Sequence, residues 1–322
     1  MSVLITGGAG YLGAVTAAQL LGGGERVRAL DSLLQGGEAL LSLYPYEAFE
    51  FIRADVRDSE AVDRALEGVH SVVHLAAIVG DPACKRDPDE ARAVNLDASL
   101  ALFEKAKASG VERFIFASTC SNYGRMADPD SYVDESAELS PVSLYAETKV
   151  AVEQALLEHP SDAAPAVTEL RFATLYGLAP RMRFDLTVNE FAAELLTKRE
   201  LEVYGEQFWR PYVHVNDAAR AIVQVLSADR GRVAGQVFNV GDTRENYRKA
   251  DLVELIQARL DGDVEIKRVT IAEDPRDYRV SFAKIERELG FKVTRTVPDG
   301  IDEVLAAVGA GVVDPEAAKW RN

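Results

Sequence analysis

Cysteine is scarce in this chain, which has only Cys84 and Cys120 among its 322 residues. Two cysteines cannot form a disulfide framework, so we expect a reduced, cytoplasmic protein. Long hydrophobic runs are lacking as well. The best one, residues 72–79, is interrupted by His74 and falls far short of the ~18 apolar residues of a membrane span. The opening residues, MSVLITGG, predict a strand and a turn and not a signal peptide, so no membrane partner is expected.

Positive charge is the second deficit. The chain has 36 lysines and arginines against 52 aspartates and glutamates, a formal net charge of −16 at pH 7. Such a surface repels polyanions, so no nucleic acid is expected as a partner, and only a local basic pocket would bind a small phosphorylated ligand. His70 and His74 lie four residues apart, but no glutamate follows them in a zinc-protease pattern, so we predict no metal site.

What the sequence does contain is an alternation of short apolar runs with segments of helical spacing. Strands are predicted at residues 3–6, 26–30, 49–54, 71–76, 113–117 and 166–172. This alternation predicts an α/β fold, a Rossmann-type doubly wound parallel sheet with helices on both faces. After about residue 177 the alternation loosens, which predicts a smaller C-terminal α+β substrate domain. Its strands are predicted at 201–205, 236–240 and 264–269 and its helices at 188–196, 249–260 and 283–289.

Glycines mark the first strand–helix turn. Residues 3–13 read VLITGGAGYLG, so a buried strand enters a turn in which Gly7, Gly10 and Gly13 recur at every third position. Glycine lets the backbone approach a pyrophosphate closely, and the helix N-terminus adds free N–H groups and the positive end of its dipole. Asp31, at the end of the second strand, is placed to accept hydrogen bonds from both hydroxyls of an adenosine ribose. The pattern predicts dinucleotide binding.

Asp31 also favours NAD over NADP, because its carboxylate would repel a 2′-phosphate. The residues that follow, SLLQ at 32–35, include no arginine to receive such a phosphate, and Arg28 lies before the carboxylate on the strand. We therefore predict NAD as the cofactor.

The candidate chemistry lies in two later segments. Tyr145 and Lys149 in SLYAETK are four residues apart at the start of a predicted helix and so share a face. A tyrosine pKa near 10 is too high for base work at pH 7, but a neighbouring ammonium lowers it and makes Tyr145 a candidate general acid/base. The strand at 113–117 ends in a hydroxyl-rich run, STCSNYG, at the sheet edge where open α/β folds bind ligands. A hydroxyl there can hydrogen-bond a substrate oxygen.

Together these motifs resemble the extended short-chain dehydrogenase/reductase family, in its branch of NAD-dependent nucleotide-sugar epimerases and dehydratases. The resemblance covers nearly the whole chain, through TGxxGxxG from Thr6, HLAA from His74, STCSNYG from Ser118, YxxxK from Tyr145, RFATLYG from Arg171, RPYVHVNDA from Arg210 and FNVG from Phe238. It implies an NAD-binding Rossmann domain of residues 1–176 plus about 207–241 and a nucleotide-sugar-binding domain of about 177–206 plus 242–322. It also implies a homodimer whose substrate is a nucleoside-diphosphate sugar.

The resemblance further implies roles for the residues at matching positions. The cofactor-binding residues would be Gly7, Gly10, Tyr11, Leu12 and Gly13 at the pyrophosphate, Asp31 and Ser32 at the adenosine ribose, Asp55 and Val56 at the adenine, Leu75, Ala76, Ala77, Asn95 and Ser118 at the sheet edge, and Tyr145 and Lys149 at the nicotinamide ribose. The catalytic residues would be Thr119, Tyr145 and Lys149, with Thr119 bonded to the sugar O4. The substrate-binding residues would be Asp81, Thr119, Thr174, Asn189, Val203, Arg210 and Arg276. Asp81 is included because its loop, after the fourth strand, should face the sugar.

Departures from the family's motifs narrow the reaction. The 4,6-dehydratases carry Asp-Glu directly after the catalytic threonine, and the nucleotide-sugar decarboxylases carry a glutamate at the position of Ser121. Here Cys120 and Ser121 stand there, so both reactions are disfavoured. The sequence predicts an NAD-dependent epimerase, most simply at C4 through a transient 4-keto intermediate. The alternatives are a 4-ketoreductase that consumes NAD(P)H and a non-catalytic NAD-sensing protein, against which Tyr145 and Lys149 count.

Three questions stay open at this point. Cys120 is either an acid/base at C3 or C5 or a small buried residue. Arg181 and Arg183 either bind a phosphate or carboxylate or belong to an ordinary charged loop. Thr174 replaces the asparagine usual in the RxFN motif, and its phosphate contact departs from the family accordingly.

Overall fold

Strands and helices alternate through the first half of the chain in the computed structural model, which describes residues 1–125, 131–270 and 277–322. The elements are β1 (Ser2–Thr6), α1 (Tyr11–Gly22), β2 (Arg26–Asp31), β3 (Phe49–Arg53), α2 (Ser59–Leu66), β4 (Ser71–His74), α3 (Asp81–Arg86), α4 (Pro88–Arg92), α5 (Ala98–Ala108), β5 (Arg113–Thr119), α6 (Leu144–Leu157) and β6 (Ala166–Phe172). A wider π-helical turn, Ala93–Asp97, joins α4 to α5.

The second half mixes short strands with helices. The elements are β7 (Thr174–Tyr176), α7 (Thr187–Thr197), β8 (Glu200–Tyr204), β9 (Trp209–His214), α8 (Val215–Ser227), α9 (Arg230–Val233), β10 (Gln236–Val240), β11 (Asn246–Arg248), α10 (Lys249–Gln257), β12 (Glu265–Val269), α11 (Ala283–Leu289) and α12 (Val297–Gly309). No helix in the described ranges is long and apolar enough to cross a bilayer.

One seven-stranded sheet organises the first half, in the order β10-β6-β5-β4-β1-β2-β3, and every neighbouring pair is parallel. The central strand β1 is apolar because both faces of the sheet are covered: Val3 and Ile5 of β1 pack into one hydrophobic cluster, and Leu4 packs into the other. This confirms the predicted α/β fold. The strand order reverses between β1 and β4, so a crevice opens at their carboxyl ends.

A third hydrophobic cluster fills the smaller lobe. It joins α7, α10 and α12 around buried side chains such as Tyr176, Phe184 and Val203. Here β9 pairs with β7 and β11 in a three-stranded sheet, and β8 pairs with β12. β9 lies in segment 207–241, which the resemblance assigns to the NAD-binding domain, yet it does not pair with the seven-stranded sheet. The exact division into two domains and the homodimer stay predictions.

Two sets of polar contacts connect the lobe to the sheet. The Tyr11 hydroxyl at the start of α1 donates to the carbonyl of Gly177 over 2.5 Å. The buried Asp217 of α8 accepts from the backbone N–H groups of Thr294 and Arg295, both at 2.9 Å, just before α12 begins. The lobe is therefore held over the carboxyl edge of the sheet, where the predicted site residues lie.

Candidate active site

The turn after β1 has room only for glycine at Gly7, Gly8 and Gly13. Gly7 has a φ of +73°, and a Cβ there would lie 2.8 Å from the backbone nitrogen of Ala76. A Cβ on Gly13 would overlap the carbonyl oxygen of Gly7. Gly10 caps α1 without a side-chain acceptor, so the first N–H groups of the helix face the crevice. This cradle fits the pyrophosphate of a dinucleotide, and at Gly7 it lies against the backbone of Leu75 and Ala76.

Asp31 lies at the rim of the same turn. One carboxylate oxygen accepts from the backbone nitrogen of Ala9 at 3.0 Å, and the other accepts from that of Leu33 at 2.8 Å. Burial raises the pKa of Asp31, and these two hydrogen bonds oppose the rise. Ser32 follows on the surface. The carboxylate is thus fixed beside the glycine turn, where an adenosine ribose would reach it.

The residues predicted at the adenine follow β3. Asp55 accepts from the backbone and guanidinium of Arg57 at 2.8–2.9 Å, and these bonds hold the pKa of Asp55 below its usual range. Arg57 also pairs with Glu90 over 2.6 Å, while the side chain of Val56 is buried. The Asp55 carboxylate is therefore already occupied by protein, and Val56 packs in the core beside it.

Asn95 holds the backbone that follows β4 at the sheet edge. Its side-chain oxygen accepts from the Ile78 nitrogen at 2.7 Å, and its amide nitrogen donates to the Ile78 carbonyl at 2.9 Å. Asn95 therefore shapes the loop after β4, and its side chain is not directed at a ligand. His74 is a buried bridge between the hydroxyls of Thr6 (2.7 Å) and Ser99 (2.8 Å), and burial lowers its pKa to about 3.

Tyr145 and Lys149 share one face of α6, as the spacing predicts. Ser143 caps the N-terminus of the helix, and its hydroxyl accepts from the Ala146 nitrogen. The Lys149 ammonium is 2% exposed, donates to the Ala117 carbonyl at 2.8 Å and lies 5.9 Å from the centre of the Tyr145 ring. Burial lowers the pKa of Lys149 to about 8.

The expected pKa shift at Tyr145 is not found. The side chain is partly exposed, but the protein packed around its hydroxyl raises its pKa above the ordinary value. Desolvation of the phenol outweighs the opposing charge of Arg183, while the Lys149 ammonium donates to the Ala117 carbonyl. The sequence prediction of a Tyr145 pKa below its ordinary value is therefore wrong for the structure described, because burial outweighs the nearby positive charge.

Thr119 and Ser118 end β5 beside this pair and point in different directions. The Thr119 hydroxyl oxygen accepts from the Ser121 nitrogen at 3.1 Å, which leaves its own hydrogen to donate to a ligand. The Ser118 hydroxyl donates instead to the buried carboxylate of Glu153, so a contact between Ser118 and the cofactor would fall to its backbone. Glu153 also pairs with Arg171 at 2.7 Å.

Sequence reasoning missed Glu153 and Tyr278 at this site. Glu153 stands one turn after Lys149 on the buried face of α6, and a carboxylate at an apolar position was the signal that could have found it. Tyr278 is buried with its hydroxyl 3.4 Å from that of Ser121, and its ring centre lies 5.6 Å from the Arg210 guanidinium. Ser121 and Tyr278 are 157 residues apart, so no local pattern links them.

The predicted substrate-binding residues differ in how accessible their side chains are. Arg210 is buried on β9 and donates to the Trp209 carbonyl at 2.7 Å, while Thr174 and Asp81 are partly exposed at the starts of β7 and α3. The Val203 side chain is fully buried in the smaller lobe, which leaves only its backbone for a ligand, and its contact with substrate stays a prediction. Arg276 lies outside the described residues.

The side chain of Asn189 is hydrogen-bonded to other parts of the protein. Its oxygen accepts from the Gly177 nitrogen at 2.9 Å, and its amide donates to the Tyr11 hydroxyl at 3.2 Å and to the Arg183 carbonyl at 3.0 Å. These contacts fix the turn that follows β7. The predicted contact of Asn189 with substrate stays a prediction.

Both cysteines are buried. The Cys120 thiol donates to the Arg171 carbonyl at 3.2 Å, and burial raises its pKa well above the ordinary value, which favours the small buried residue over the acid/base. The Cys84 thiol donates to the Ile78 carbonyl at 3.4 Å. Arg181 and Arg183 are also buried, so their loop is not an ordinary charged loop.

Comparison with known proteins agrees with this geometry. The sequence profile of the NAD dependent epimerase/dehydratase family matches residues 3–241. A UDP-glucose 4-epimerase of Bacillus subtilis (strain 168) is 27% identical over 331 residues, 95% of each chain. A dTDP-glucose 4,6-dehydratase of Streptomyces griseus is 31% identical over 314 residues, 94% of this chain and 93% of its own. The UDP-glucose 4-epimerase structure of Thermus thermophilus in complex with NAD has a TM-score of 0.85 at 27% identity, over 97% of this chain and 100% of that one.

Proposed function

Because this chain belongs to the NAD-dependent epimerase/dehydratase family, we propose that it epimerises a nucleoside-diphosphate sugar at C4 through a transient 4-keto intermediate. One observation carries the choice between the family's reactions. The two positions after Thr119, where dehydratases carry Asp-Glu, hold the buried Cys120 thiol and the Ser121 hydroxyl. Neither group has the acidity that the removal of a C6 hydroxyl and of a C5 proton demands of a paired acid and base.

Tyr145 would remove the proton from O4 and later return it. Thr119 supports this transfer, since its hydroxyl hydrogen is not used by the protein contact to Ser121 and can donate to O4. Lys149 lies on the same helix face and supplies the positive charge that a phenolate needs. NAD, when bound, accepts and returns the hydride, so the overall conversion is redox-neutral.

Binding through the diphosphate allows the sugar to turn without leaving. Arg210 is buried beside Tyr278, and its guanidinium would bind the diphosphate. The diphosphate is the part of the substrate that lies farther from the reacting carbon. The sugar ring itself would be held only by hydroxyl contacts at one edge. A ring held in this way can present either face after C4 has been oxidised, and hydride return to the other face inverts the centre.

The test uses nucleotide sugars deuterated at C4. We expect isomerisation with full retention of deuterium and no net change in reduced-nicotinamide absorbance, because hydride leaves and returns in one closed site. The Tyr145→Phe variant is the control and should lose about 10²–10⁴-fold in rate, the usual contribution of a general acid/base.

The 4-ketoreductase is the main rival. Stoichiometric consumption of NADH with a 4-keto sugar, together with no isomerisation of any saturated nucleotide sugar, would decide for it. Formation of a 4-keto-6-deoxy product would instead identify a dehydratase.

A further inference from the structure

The loop that follows β7 packs against the start of α1, directly after the glycine turn. Ala179 and Leu186 pack against the cluster formed by Tyr11 and Val15 at the start of α1. The Tyr11 hydroxyl fixes the loop by its 2.5 Å bond to Gly177. Side chains between 179 and 186 are therefore brought to the N-terminus of α1, although they belong to a distant part of the chain.

Two arginines in this loop are buried, and they differ in their partners. Arg183 pairs with Asp185 through two hydrogen bonds, one of 3.0 Å from Nε to Oδ1. Arg181 is only 5% exposed, and its Nη2 donates to the neutral side-chain oxygen of Asn322, at 2.6 Å. In the described part of the chain, its Nε has no hydrogen-bond partner and its guanidinium forms no ion pair.

Burying a guanidinium without a counterion costs free energy. The buried position of Arg181 therefore indicates that an anion binds beside it. Burial lowers the pKa of Arg181, and the negative charges of Asp185 and Asp31 oppose this shift. Of these two carboxylates, Asp31 belongs to the large sheet. Both oxygens of Asp31 already accept backbone N–H groups. The anion that belongs between Asp31, the glycine turn and this loop is the pyrophosphate of the dinucleotide.

We propose that Arg181 binds the pyrophosphate of bound NAD from the side opposite the glycine turn. The N-terminus of α1 then holds one side of the pyrophosphate and the smaller lobe holds the other. Arginine suits this position because its planar fork donates two parallel hydrogen bonds to phosphate oxygens. The assignment concerns the cofactor alone and holds for any reaction that the enzyme performs.

Calorimetry of NAD, ADP and adenosine with Arg181→Gln tests the assignment. We expect the affinity for NAD and for ADP to fall roughly 10- to 100-fold, as for the loss of hydrogen bonds to a charged group, and that for adenosine to stay unchanged. Arg181→Lys should recover part of the loss. Arg287→Gln, which removes an exposed arginine of α11, is the matched control and should bind like the wild type.

Asn322→Ala separates ligand binding from a structural role, because it removes the Asn322 contact of Arg181 and keeps the guanidinium. We expect NAD affinity within about twofold of the wild type, since the fork that binds phosphate is retained. A loss equal to that of Arg181→Gln would assign the effect to anchoring of the C-terminal segment and overturn the proposal. So would an Arg181→Gln variant that binds NAD normally, loses adenosine affinity equally, or loses affinity only for UDP or dTDP.

Discussion

We expect Tyr145 and Lys149 to titrate as one unit, because the ammonium lies 5.9 Å from the centre of the phenol ring and each group would change the charge that the other experiences. Burial raises the pKa of Tyr145 and lowers that of Lys149 to about 8, so the first proton to leave the pair does so near pH 8. The singly deprotonated pair includes the phenolate–ammonium form, which is the form that can accept the O4 proton. Charge at this pair therefore sets the pH dependence of turnover.

We expect kcat of the wild type to rise with pH and to level off above about pH 8. In Lys149→Met the rise should move to higher pH, because the phenol must then ionise without an ammonium nearby. The measurement is the initial rate of isomerisation between about pH 6 and about pH 10. Tyr145→Phe serves as the reference for zero acid/base activity. Identical profiles for the wild type and Lys149→Met would contradict this account.

Site residues were predictable where the motif is local and were missed where the contact is long-range. Gly7, Asp31 and Tyr145 each follow from a few neighbouring residues whose backbone demands or spacing are visible in the sequence. The contact between Ser121 and Tyr278 depends on how the smaller lobe sits on the sheet. The protein contacts of Asn189 were missed for the same reason, since they join the start of α7 to the loop after β7 and to Tyr11 at the start of α1.

The turn between β1 and α1 provides a test at the level of elements. Gly13→Ala places a methyl group on the Gly7 carbonyl, so the turn must move. We expect a loss of about 1–3 kcal/mol in the free energy of unfolding, as for other overpacked sites, and loss of NAD binding. Urea unfolding and NAD calorimetry measure the two effects.

Gly22→Ala, at the last residue of the same helix, is the matched control. A Cβ there meets nothing within 4 Å, so the variant should equal or exceed the wild type in stability by up to ~1 kcal/mol and bind NAD normally. Equal behaviour of the two alanine variants would show that the close packing at Gly13 does not govern the turn.

Elements of the smaller lobe were harder to predict than those of the large sheet. β9 was missed because it includes Pro211, which argues against a strand, although both its neighbours pair with it. α12 was missed because Gly300 interrupts its helical pattern. A signal was present, however: Thr296 and Asp299 form a capping box and Pro298 lies in the first turn, which together are typical of a helix start.

On the scale of the whole molecule, Glu169 makes stability depend on pH. It lies at the middle of β6, is 0% exposed and has no hydrogen-bond partner for either carboxylate oxygen among the described residues. Burial, and next the charge of Glu153, raise its pKa well above the ordinary 4.5. The folded protein therefore keeps this proton at pH values where the unfolded chain releases it.

The contribution of Glu169 to stability is fully present below about pH 4.5 and is lost as pH rises toward its raised pKa, at about 1.4 kcal/mol per pH unit. Glu169→Gln is neutral in both states, so it should gain stability over the wild type as pH rises from about 5 to about 8. Urea unfolding at both pH values measures this gain. Glu158→Gln, exposed at the end of α6, is the control and should show no such gain. A constant difference between Glu169→Gln and wild type at both pH values would contradict the raised pKa.

Because both thiols are buried, their labelling rates report local opening of the fold. A thiol reagent can modify Cys84 only when the loop after β4 opens, and Cys120 only when β5 separates from β6, because each sulfur is bonded to backbone at those places. The labelling rate at each sulfur thus measures how often a different region opens. The wild-type chain carries these two reporters without any engineered cysteine, so the opening of the loop after β4 and that of the central sheet can be measured in one experiment.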